Sequence, residues 1–351
     1  MKYLSTLEAL QKTSNLSELA YLLRVQPKTL SYNIYIIDKN STTTKKYSEF
    51  SIPKKSGGTR VILAPNQNLK FIQSQLSKIL YSCVDEINKE KRVTSSLSFG
   101  YRKRSSIFDN AKVHKKKKLV FNIDLKNYFD AINFGRVRGF FIKNRNFCLD
   151  ENVATVIAQI ACHNNALPQG SPVSPVISNL IGHILDIRLS KIASDCGCSY
   201  SRYCDDITFS TNKKVFPKKL AYSDTGNTWH PSKLLINIIS QNGFEINMQK
   251  VRMSLFYSQQ RVTGLTVNKK VNTTRAYRDL VRSLVHNLCT KGDFEFRGGF
   301  DKDKVLETNK LNSLQGMLNY ISRIEYQELR GNQENKRFYP NIRPLAKVPV
   351  H

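Results

Sequence analysis

The sequence lacks three features of membrane and secreted proteins. No run approaches the ~20 consecutive apolar residues that a membrane span requires. The first residues also lack the basic and then apolar pattern of a secretory signal. The seven cysteines form an odd set without a Cys-x-x-Cys pair, which argues against a disulfide framework. We therefore expect a cytoplasmic protein with free thiols and no membrane partner.

The cysteines are also poorly spaced for zinc. Cys196, Cys198, Cys204 and His183 carry the right ligand types to share one ion. A Cys-x-Cys pair, however, does not match the spacing of structural zinc sites. We predict no zinc.

Acidic residues are scarce as well. The chain has 27 Asp and Glu against 55 Lys and Arg, which gives a formal net charge of +28. Solubility alone needs far less charge, so the excess indicates a polyanionic partner, and nucleic acid is the leading candidate. The length of 351 residues, of which 40% are hydrophobic, excludes a disordered chain and is sufficient for a real core.

Two of the few acids, Asp205 and Asp206, are adjacent. They lie between two β-prone runs, 199–203 and 207–210, which predicts a hairpin with acids at its tip. Neighbouring strand side chains point to opposite faces, so only a turn lets both carboxylates approach one place. Such a concentration of negative charge favours a hard divalent cation, Mg²⁺ or in its place Mn²⁺. Taken alone, however, most Tyr-x-Asp-Asp strings are solvated turn acids.

A third carboxylate strengthens this interpretation. Asp124 ends an apolar strand that begins near Lys118, 81 positions (205 − 124) before Asp205. That separation is enough for a crossover and a helix to return the chain beside the first strand. Three carboxylates meeting on one sheet can hold two Mg²⁺ ions roughly 3.5–4 Å apart, the arrangement that catalyses phosphoryl transfer.

The order of several motifs between about residues 50 and 270 resembles the reverse transcriptases. In chain order they are Lys54-Lys55-Ser56-Gly57-Gly58-Thr59-Arg60, Ser98-Phe99-Gly100-Tyr101, the Asp124 strand, Leu167-Pro168-Gln169-Gly170-Ser171-Pro172, Tyr203-Cys204-Asp205-Asp206, Asn242-Gly243-Phe244 with Lys250, and Val262-Thr263-Gly264-Leu265. Asn110-Ala111-Lys112-Val113-His114 and Val262-Thr263-Gly264 resemble hallmarks of the bacterial retron type. Cys204 stands where the family most often has Ala, a small-for-small change.

The resemblance implies an α+β fold of the right-hand polymerase kind, with fingers, a palm built on a split β-α-β sheet and a helical thumb. We expect N-terminal helices and fingers over 1–118, the palm over 119–270, the thumb over 271–330 and a basic tail over 331–351. Within the palm, 163–175 should form a loop towards the fingers and 211–232 an exposed insertion. No room is expected for an RNase H or endonuclease domain.

The resemblance also implies a nucleotide site beside the catalytic and metal-binding Asp124, Asp205 and Asp206. Arg60 would contact the incoming nucleotide, Phe129 would exclude a 2′-OH sterically, Gln169 would line the pocket, and Lys250 would protonate pyrophosphate. The residues alone leave three alternative interpretations open. These are a solvated basic hairpin for Arg60, a core position for Phe129 and a solvated position for Lys250.

A dense basic stretch, 102–118, predicts phosphate contact because it holds eight basic residues against one acid. We expect RNA contact at Lys115, Lys116, Lys117 and Lys118. The resemblance adds Asn110 and His114 as RNA-engaging residues, and Val262, Thr263 and Gly264 as a primer grip. A capping Asn, a satisfied surface His and a solvated basic face remain the alternatives.

The function implied is an RNA-directed DNA polymerase that uses dNTPs to copy part of a cognate structured non-coding RNA into single-stranded DNA. Retron enzymes begin from a guanosine 2′-OH, stay bound to the RNA–DNA product and commonly act against phage with a separate effector protein. Alternatives are a group II intron-like or other bacterial reverse transcriptase and a non-catalytic RNA-binding scaffold that restrains an effector. Residues 16–35 also resemble a helix-turn-helix, although helices behind the fingers are favoured. The residues give no signal for the oligomeric state.

Overall fold

The computed structural model describes residues 4–37, 45–54, 57–92, 96–226, 228–296 and 307–331. The predicted tail after Gly331 and Lys55 of the basic hairpin lie outside these residues. The α-helices are α1 (Thr6–Gln11), α2 (Leu16–Leu22), α3 (Pro27–Ser31), α4 (Gln67–Glu90), α5 (Ile107–Val113), α6 (Phe134–Lys143), α7 (Glu151–Ala161), α8 (Ser174–Asp195), α9 (Lys233–Gln241), α10 (Arg275–Lys291) and α11 (Glu307–Gly331). Among them, no helix is both long and apolar enough to cross a membrane.

Within the residues described, the strands form one main sheet and three small hairpins. They are β1 (Tyr47–Pro53), β2 (Thr59–Pro65), β3 (Leu119–Lys126), β4 (Ser199–Tyr203), β5 (Asp206–Thr211), β6 (Ala221–Ser223), β7 (Trp229–Pro231), β8 (Glu245–Ile246), β9 (Arg252–Leu255), β10 (Arg261–Val262) and β11 (Leu265–Thr266). In the main sheet β4 pairs with β5 and β5 with β3, while β8 and β9 share the other edge of β3; all pairs are antiparallel.

Helix α8 packs against the sheet and supplies much of the main core. Ile177, Leu185 and Leu189 are fully buried on it. The helix begins at Ser174. The Ser174 hydroxyl donates to the carbonyl of Pro168, which ties the helix to the preceding loop.

The N-terminal helices belong to the same core. Three leucines are fully buried there: Leu19 on α2, Leu23 directly after α2, and Leu30 on α3. The leucine stripe that resembled a helix-turn-helix is therefore used for packing, which favours the architectural reading of residues 16–35.

The segment 211–232 is only partly the exposed insertion that the sequence predicted. Its Lys213 and Lys214 are exposed, but Phe216 is buried and lies 5.5 Å from the ring of Phe121 on β3. Leu220 is also fully buried, and the hairpin of β6 and β7 closes over them. Polar residues around these two apolar side chains concealed their part in the core.

A second apolar cluster joins the sheet to the last helix. Phe108 on α5, Val120 on β3, Val262 on β10, Leu265 on β11 and Ile324 on α11 pack together. This cluster holds helix α5 and the β10–β11 hairpin against the strand that carries Asp124.

A buried ion pair lies beneath the end of β4. The Arg202 guanidinium donates to both carboxylate oxygens of Asp186 on α8, from Nε at 2.7 Å and Nη2 at 2.8 Å, and both side chains are fully buried. Its Nη1 donates to the carbonyl of Cys204 and to the Tyr128 hydroxyl, each at 2.9 Å. The Tyr128 hydroxyl donates in turn to the carbonyl of Ser178. The Arg202 guanidinium thereby ties the carbonyl of Cys204 to helix α8.

Removal of one partner from this pair should be costly because it leaves the other charge buried. We expect Arg202→Met to lower the free energy of unfolding by about 3–5 kcal/mol in urea denaturation. The matched control is Lys126→Met, which removes an exposed pair with Glu245 at 3.4 Å and should change the free energy by less than about 1 kcal/mol. Similar small losses in both variants would contradict this role of the buried pair.

Candidate active site

The turn between β4 and β5 carries the adjacent acids, as the sequence predicted. Tyr203 pairs with Asp206, so Cys204 and Asp205 form a two-residue hairpin turn. Cys204 has a φ of 59°, an uncommon value for a residue other than glycine. Such backbone strain persists only where the surroundings fix it, and here the Arg202 guanidinium holds the Cys204 carbonyl.

A close backbone approach supports the turn from one side. Residues Leu97 to Gly100 run beside β4, where the amide of Phe99 donates to the carbonyl of Arg202 at 2.9 Å. A β-carbon on Gly100 would lie 2.6 Å from both the nitrogen and the sulfur of Cys204. Glycine is therefore required at position 100 if the turn is to sit where it does.

The third acid faces the turn from β3. Asp124 pairs with Asp206 across the sheet, and the amide of Leu125 donates to the carbonyl of Asp205 at 3.0 Å. The side chain of Asp124 is only 8% exposed. The antiparallel register thus brings all three predicted carboxylates to one end of the sheet.

The proton affinity of two of the acids, Asp205 and Asp206, is raised by their surroundings. Desolvation by the surrounding protein, followed by the charges of Asp205 and Asp124, raises the pKa of Asp206 to about 7, although the residue itself is exposed. Burial and the charge of Asp124 also raise the pKa of Asp205, while Lys250 and Arg60 oppose that rise. The site therefore holds more negative charge than its surroundings neutralise.

Lys250 supplies the nearest positive charge. Its Nζ lies 2.8 Å from Oδ2 of Asp124. Burial alone would lower the pKa of Lys250, but the hydrogen bond to Asp124 and the charges of all three acids raise it. The ammonium group thus stands where a cation is electrostatically favoured.

The donor chemistry of the acids fits a hard divalent ion, which prefers carboxylate oxygens. The excess charge that raises the pKa of Asp205 and Asp206 would be relieved by such an ion. In the arrangement described, with Lys250 on Asp124, no cluster of three or more His, Cys, Asp and Glu side chains among the described residues is set to hold a metal.

The predicted nucleotide residues lie around this end of the sheet. The amide of Leu63 on β2 donates to the carbonyl of Gln169 at 2.8 Å, which brings the strand of Arg60 onto the loop. Gly170, with a φ of 127°, permits this contact, because a β-carbon there would lie 2.5 Å from the carbonyl oxygen of Leu63. Arg60 is exposed and near enough to lower the pKa of Asp205.

Phe129 is half-buried close to the turn. Its ring centroid lies 6.0 Å from that of Tyr101 and 5.7 Å from that of Tyr128. Tyr101 in turn hydrogen-bonds to the thiol of Cys204, which links Phe129 to the turn. Burial raises the pKa of that thiol to about 12. Because Phe129 is half-buried, it is neither a solvated residue nor a fully buried core residue.

The four predicted RNA-contacting lysines differ in their surroundings. Lys115 forms an ion pair at 2.8 Å with Glu328 of α11, whose carboxylate is largely buried. Lys116 and Lys118 are exposed and Lys117 is half-exposed, and none of the three has an ion pair within the described residues. Of the four, these three have charges that no ion pair among the described residues neutralises.

Two residues expected to engage RNA lie inside the protein. Asn110 is 1% exposed and His114 is 0% exposed, so neither side chain can touch RNA as it stands. The alternative of a surface histidine is equally excluded. Of the predicted primer grip, Val262 is buried, Thr263 is half-buried and Gly264 is exposed. The polar residue types of Asn110 and His114 concealed their burial.

Sequence reasoning missed the supporting pair Arg202 and Asp186. An aspartate within the apolar run of α8 and an arginine within a β-strand are each unusual in a core, because a buried charge requires a partner. That signal could have paired them. Gly100 was noticed as part of a motif but received no role.

Comparison with known proteins identifies the family. A family model described as "Reverse transcriptase (RNA-dependent DNA polymerase)" matches residues 52–275. The retron Ec86 reverse transcriptase of Escherichia coli is 30% identical over 319 residues, which cover 89% of this chain and 90% of that protein. The retron Mx65 reverse transcriptase of Myxococcus xanthus is 29% identical over 279 residues, which cover 74% of this chain but 60% of that protein.

Among solved structures, telomerase from Candida albicans in complex with a TWJ fragment of telomeric RNA aligns with a TM-score of 0.46 and 12% identity. The alignment covers 81% of this chain and 56% of the telomerase chain. The family match and the retron relatives, together with the mixed helix and sheet architecture, confirm the predicted right-hand polymerase fold. The chain belongs to the reverse transcriptase family, as an RNA-directed DNA polymerase of the retron type.

Proposed function

We propose that the protein copies part of a cognate structured non-coding RNA into single-stranded DNA that stays associated with the RNA. The observation that carries this proposal is the meeting of Asp124, Asp205 and Asp206 at one end of the sheet, on a turn fixed by buried contacts. A scaffold that only binds RNA would not need three mutually repelling carboxylates, whose charge raises the pKa of Asp206.

Reverse transcriptases depend on divalent metals in general, and we propose two Mg²⁺ ions here, which Mn²⁺ can replace. Asp124, Asp205 and Asp206 would hold them. Bound ions of this kind activate the attacking hydroxyl and stabilise the leaving oxygen. The residues of the chain itself collect the carboxylates, and Lys250 keeps a compensating charge on Asp124.

We propose that the nucleotide pocket lies between β2, the loop at Gln169 and the turn. Arg60 would bind triphosphate oxygens through its planar guanidinium. Gln169 would hydrogen-bond the sugar or base, and Phe129 would exclude a 2′-OH by steric contact. Lys250, which its neighbours keep protonated, would carry a proton for the departing pyrophosphate.

We propose the domain division 1–118, 119–270, 271–330 and 331–351, with the loop 163–175 and the segment 211–232 inside the second unit. It agrees with β3 beginning at Leu119 and α10 beginning at Arg275.

From the resemblance to retron enzymes, we also propose priming from a guanosine 2′-OH and an anti-phage role with a separate effector in the cytoplasm.

Neutralising one acid tests the catalytic assignment. Asp205→Asn or Asp206→Asn should reduce DNA synthesis by at least about 10³-fold, because each removes metal-binding charge from the turn without removing core packing. The measurement is sequencing of the nucleic acid that copurifies with each protein. We expect one RNA together with DNA complementary to part of it from the wild type, and the RNA alone from either variant.

The matched control is Asp85→Asn, which neutralises an exposed acid whose partner is Lys103. This variant should retain the DNA. Complementary DNA at wild-type levels in the Asp206→Asn sample would refute the proposed site, and a broad mixture of cellular RNA in all samples would refute a cognate template.

The exposed lysines should contribute to RNA affinity. Replacing Lys116, Lys117 and Lys118 with Gln should reduce the slope of log Kd against log salt concentration by about 2 to 3, since each lost phosphate contact removes roughly 0.7–0.9. A control with the same change in charge replaces the exposed Lys214, Lys218 and Lys219 and should leave the slope unaltered. Equal slopes in both triple variants would mean that the basic run is a solvated face.

A further inference from the structure

A continuous series of hydrogen bonds runs through the buried retron motifs. His114 lies between two hydroxyls, with Nδ1 2.7 Å from Oγ of Ser210 and Nε2 2.7 Å from Oγ of Ser201. Ser201 continues the series to Oδ1 of Asn110 at 2.6 Å. The Nδ2 atom of Asn110 then lies 3.5 Å from Oγ1 of Thr263. These five side chains, which we call the relay, come from β5, α5, β4 and the β10–β11 turn.

The direction of each bond follows from the chemistry of the acceptors. Oδ1 of Asn110 can only accept, so the Ser201 hydroxyl donates to it and its oxygen is left to accept from Nε2 of His114. Burial, followed by the nearby charge of Lys117, lowers the pKa of His114 to about 3, so the ring is neutral. A neutral ring protonated on Nε2 accepts at Nδ1, and the Ser210 hydroxyl therefore donates there.

The far end of the relay is closed as well. The Thr263 hydroxyl donates to the carbonyl of Ile107 at 3.1 Å, so its oxygen remains free to accept from Asn110. The Ser201 and Thr263 hydroxyls therefore each have both a donor and an acceptor role filled, which makes the arrangement specific to these residue types.

The backbone at Thr263 shows that this hydroxyl is retained at a cost. Thr263 and Gly264 have φ values of 47° and 81°, so both central residues of the β10–β11 turn are left-handed. Such turns favour Asn-Gly or Gly-Gly, and a β-branched residue at positive φ is a strained choice. Packing does not explain the choice, since Thr263 is only half-buried. The hydrogen bonds of Thr263 to Ile107 and Asn110 on helix α5 explain why threonine stands here.

We propose that Asn110, His114 and Thr263 act with Ser201 and Ser210 as positioning residues that lock the β10–β11 turn to the catalytic hairpin. Ser201 and Ser210 lie on the two strands that lead to Asp205 and Asp206. The relay therefore fixes the distance between those carboxylates and the β10–β11 turn. The proposal rests on the proposed priming from a guanosine 2′-OH and on the primer grip that the family resemblance implies for Val262, Thr263 and Gly264.

A position error of about 1 Å at a reacting group costs on the order of 10²-fold in rate. Loss of the relay should therefore lower kcat for synthesis on the cognate RNA and leave the affinity for that RNA unchanged. A side chain that bound RNA directly would instead weaken the affinity. A residue that only stabilised the fold would lower neither quantity once the protein is folded.

The test compares Thr263→Val, which keeps the branched shape without the hydroxyl, with Thr263→Ser, which keeps the hydroxyl. Thr263→Gly is the third variant, because it relieves the backbone strain but removes the side chain. We expect kcat to fall about 10- to 100-fold in the Val and Gly variants and to recover to within about threefold of wild type in the Ser variant. Dissociation constants for the cognate RNA should agree in all four proteins.

A second pair keeps the test decisive if the Val variant does not fold. His114→Gln retains one donor and one acceptor, whereas His114→Leu retains neither, so Gln should preserve more of kcat than Leu. The relay is overturned if Val and Ser variants have equal kcat, if the Gly variant is as fast as wild type, or if the dissociation constant changes while kcat does not. These outcomes differ from failure of the proposed function, in which Asp206→Asn would still make DNA.

Discussion

The buried pair of Arg202 and Asp186 is the interaction on which the catalytic turn depends. One guanidinium neutralises Asp186 with two hydrogen bonds and uses its remaining nitrogen to hold the carbonyl of Cys204. The strained turn is therefore anchored to helix α8 through Arg202, and removal of either Arg202 or Asp186 would leave the other charge unpaired in the core. This anchor therefore sets the position of Asp205 and Asp206, which directly follow Cys204 in the chain.

The carboxylate site was predictable from the sequence because its signals are local. An apolar strand ending at Asp124 and two β-prone runs flanking Asp205 and Asp206 determine a hairpin and a neighbouring strand, and buried strands have a well-specified register. The pairing of Asp124 with Asp206 follows. A strand of this kind admits few alternative arrangements once one face must be buried.

The supports of the site were not predictable, because each depends on a contact between distant elements. Asp186 meets Arg202 only because α8 crosses beneath β4, and His114 is buried only because α5 packs over both strands of the hairpin. Phe216 enters the core from a segment whose charges suggested exposure. Residue type and spacing do not show which distant elements come into contact. In the structure these contacts are visible as the hydrogen bonds that buried polar residues form.

The most direct test of this account is to displace the turn without changing any charged group. A methyl group at Gly100 would collide with the backbone of Cys204, whereas one at Gly139 on α6 would meet no atom within 4 Å. We predict that Gly100→Ala lowers the rate of DNA synthesis on the bound cognate RNA by about 100-fold or more. Gly139→Ala should keep the full rate, because alanine suits a helix better than glycine. Equal rates for the two variants would contradict the claim that close contacts beneath the turn set the position of the catalytic acids.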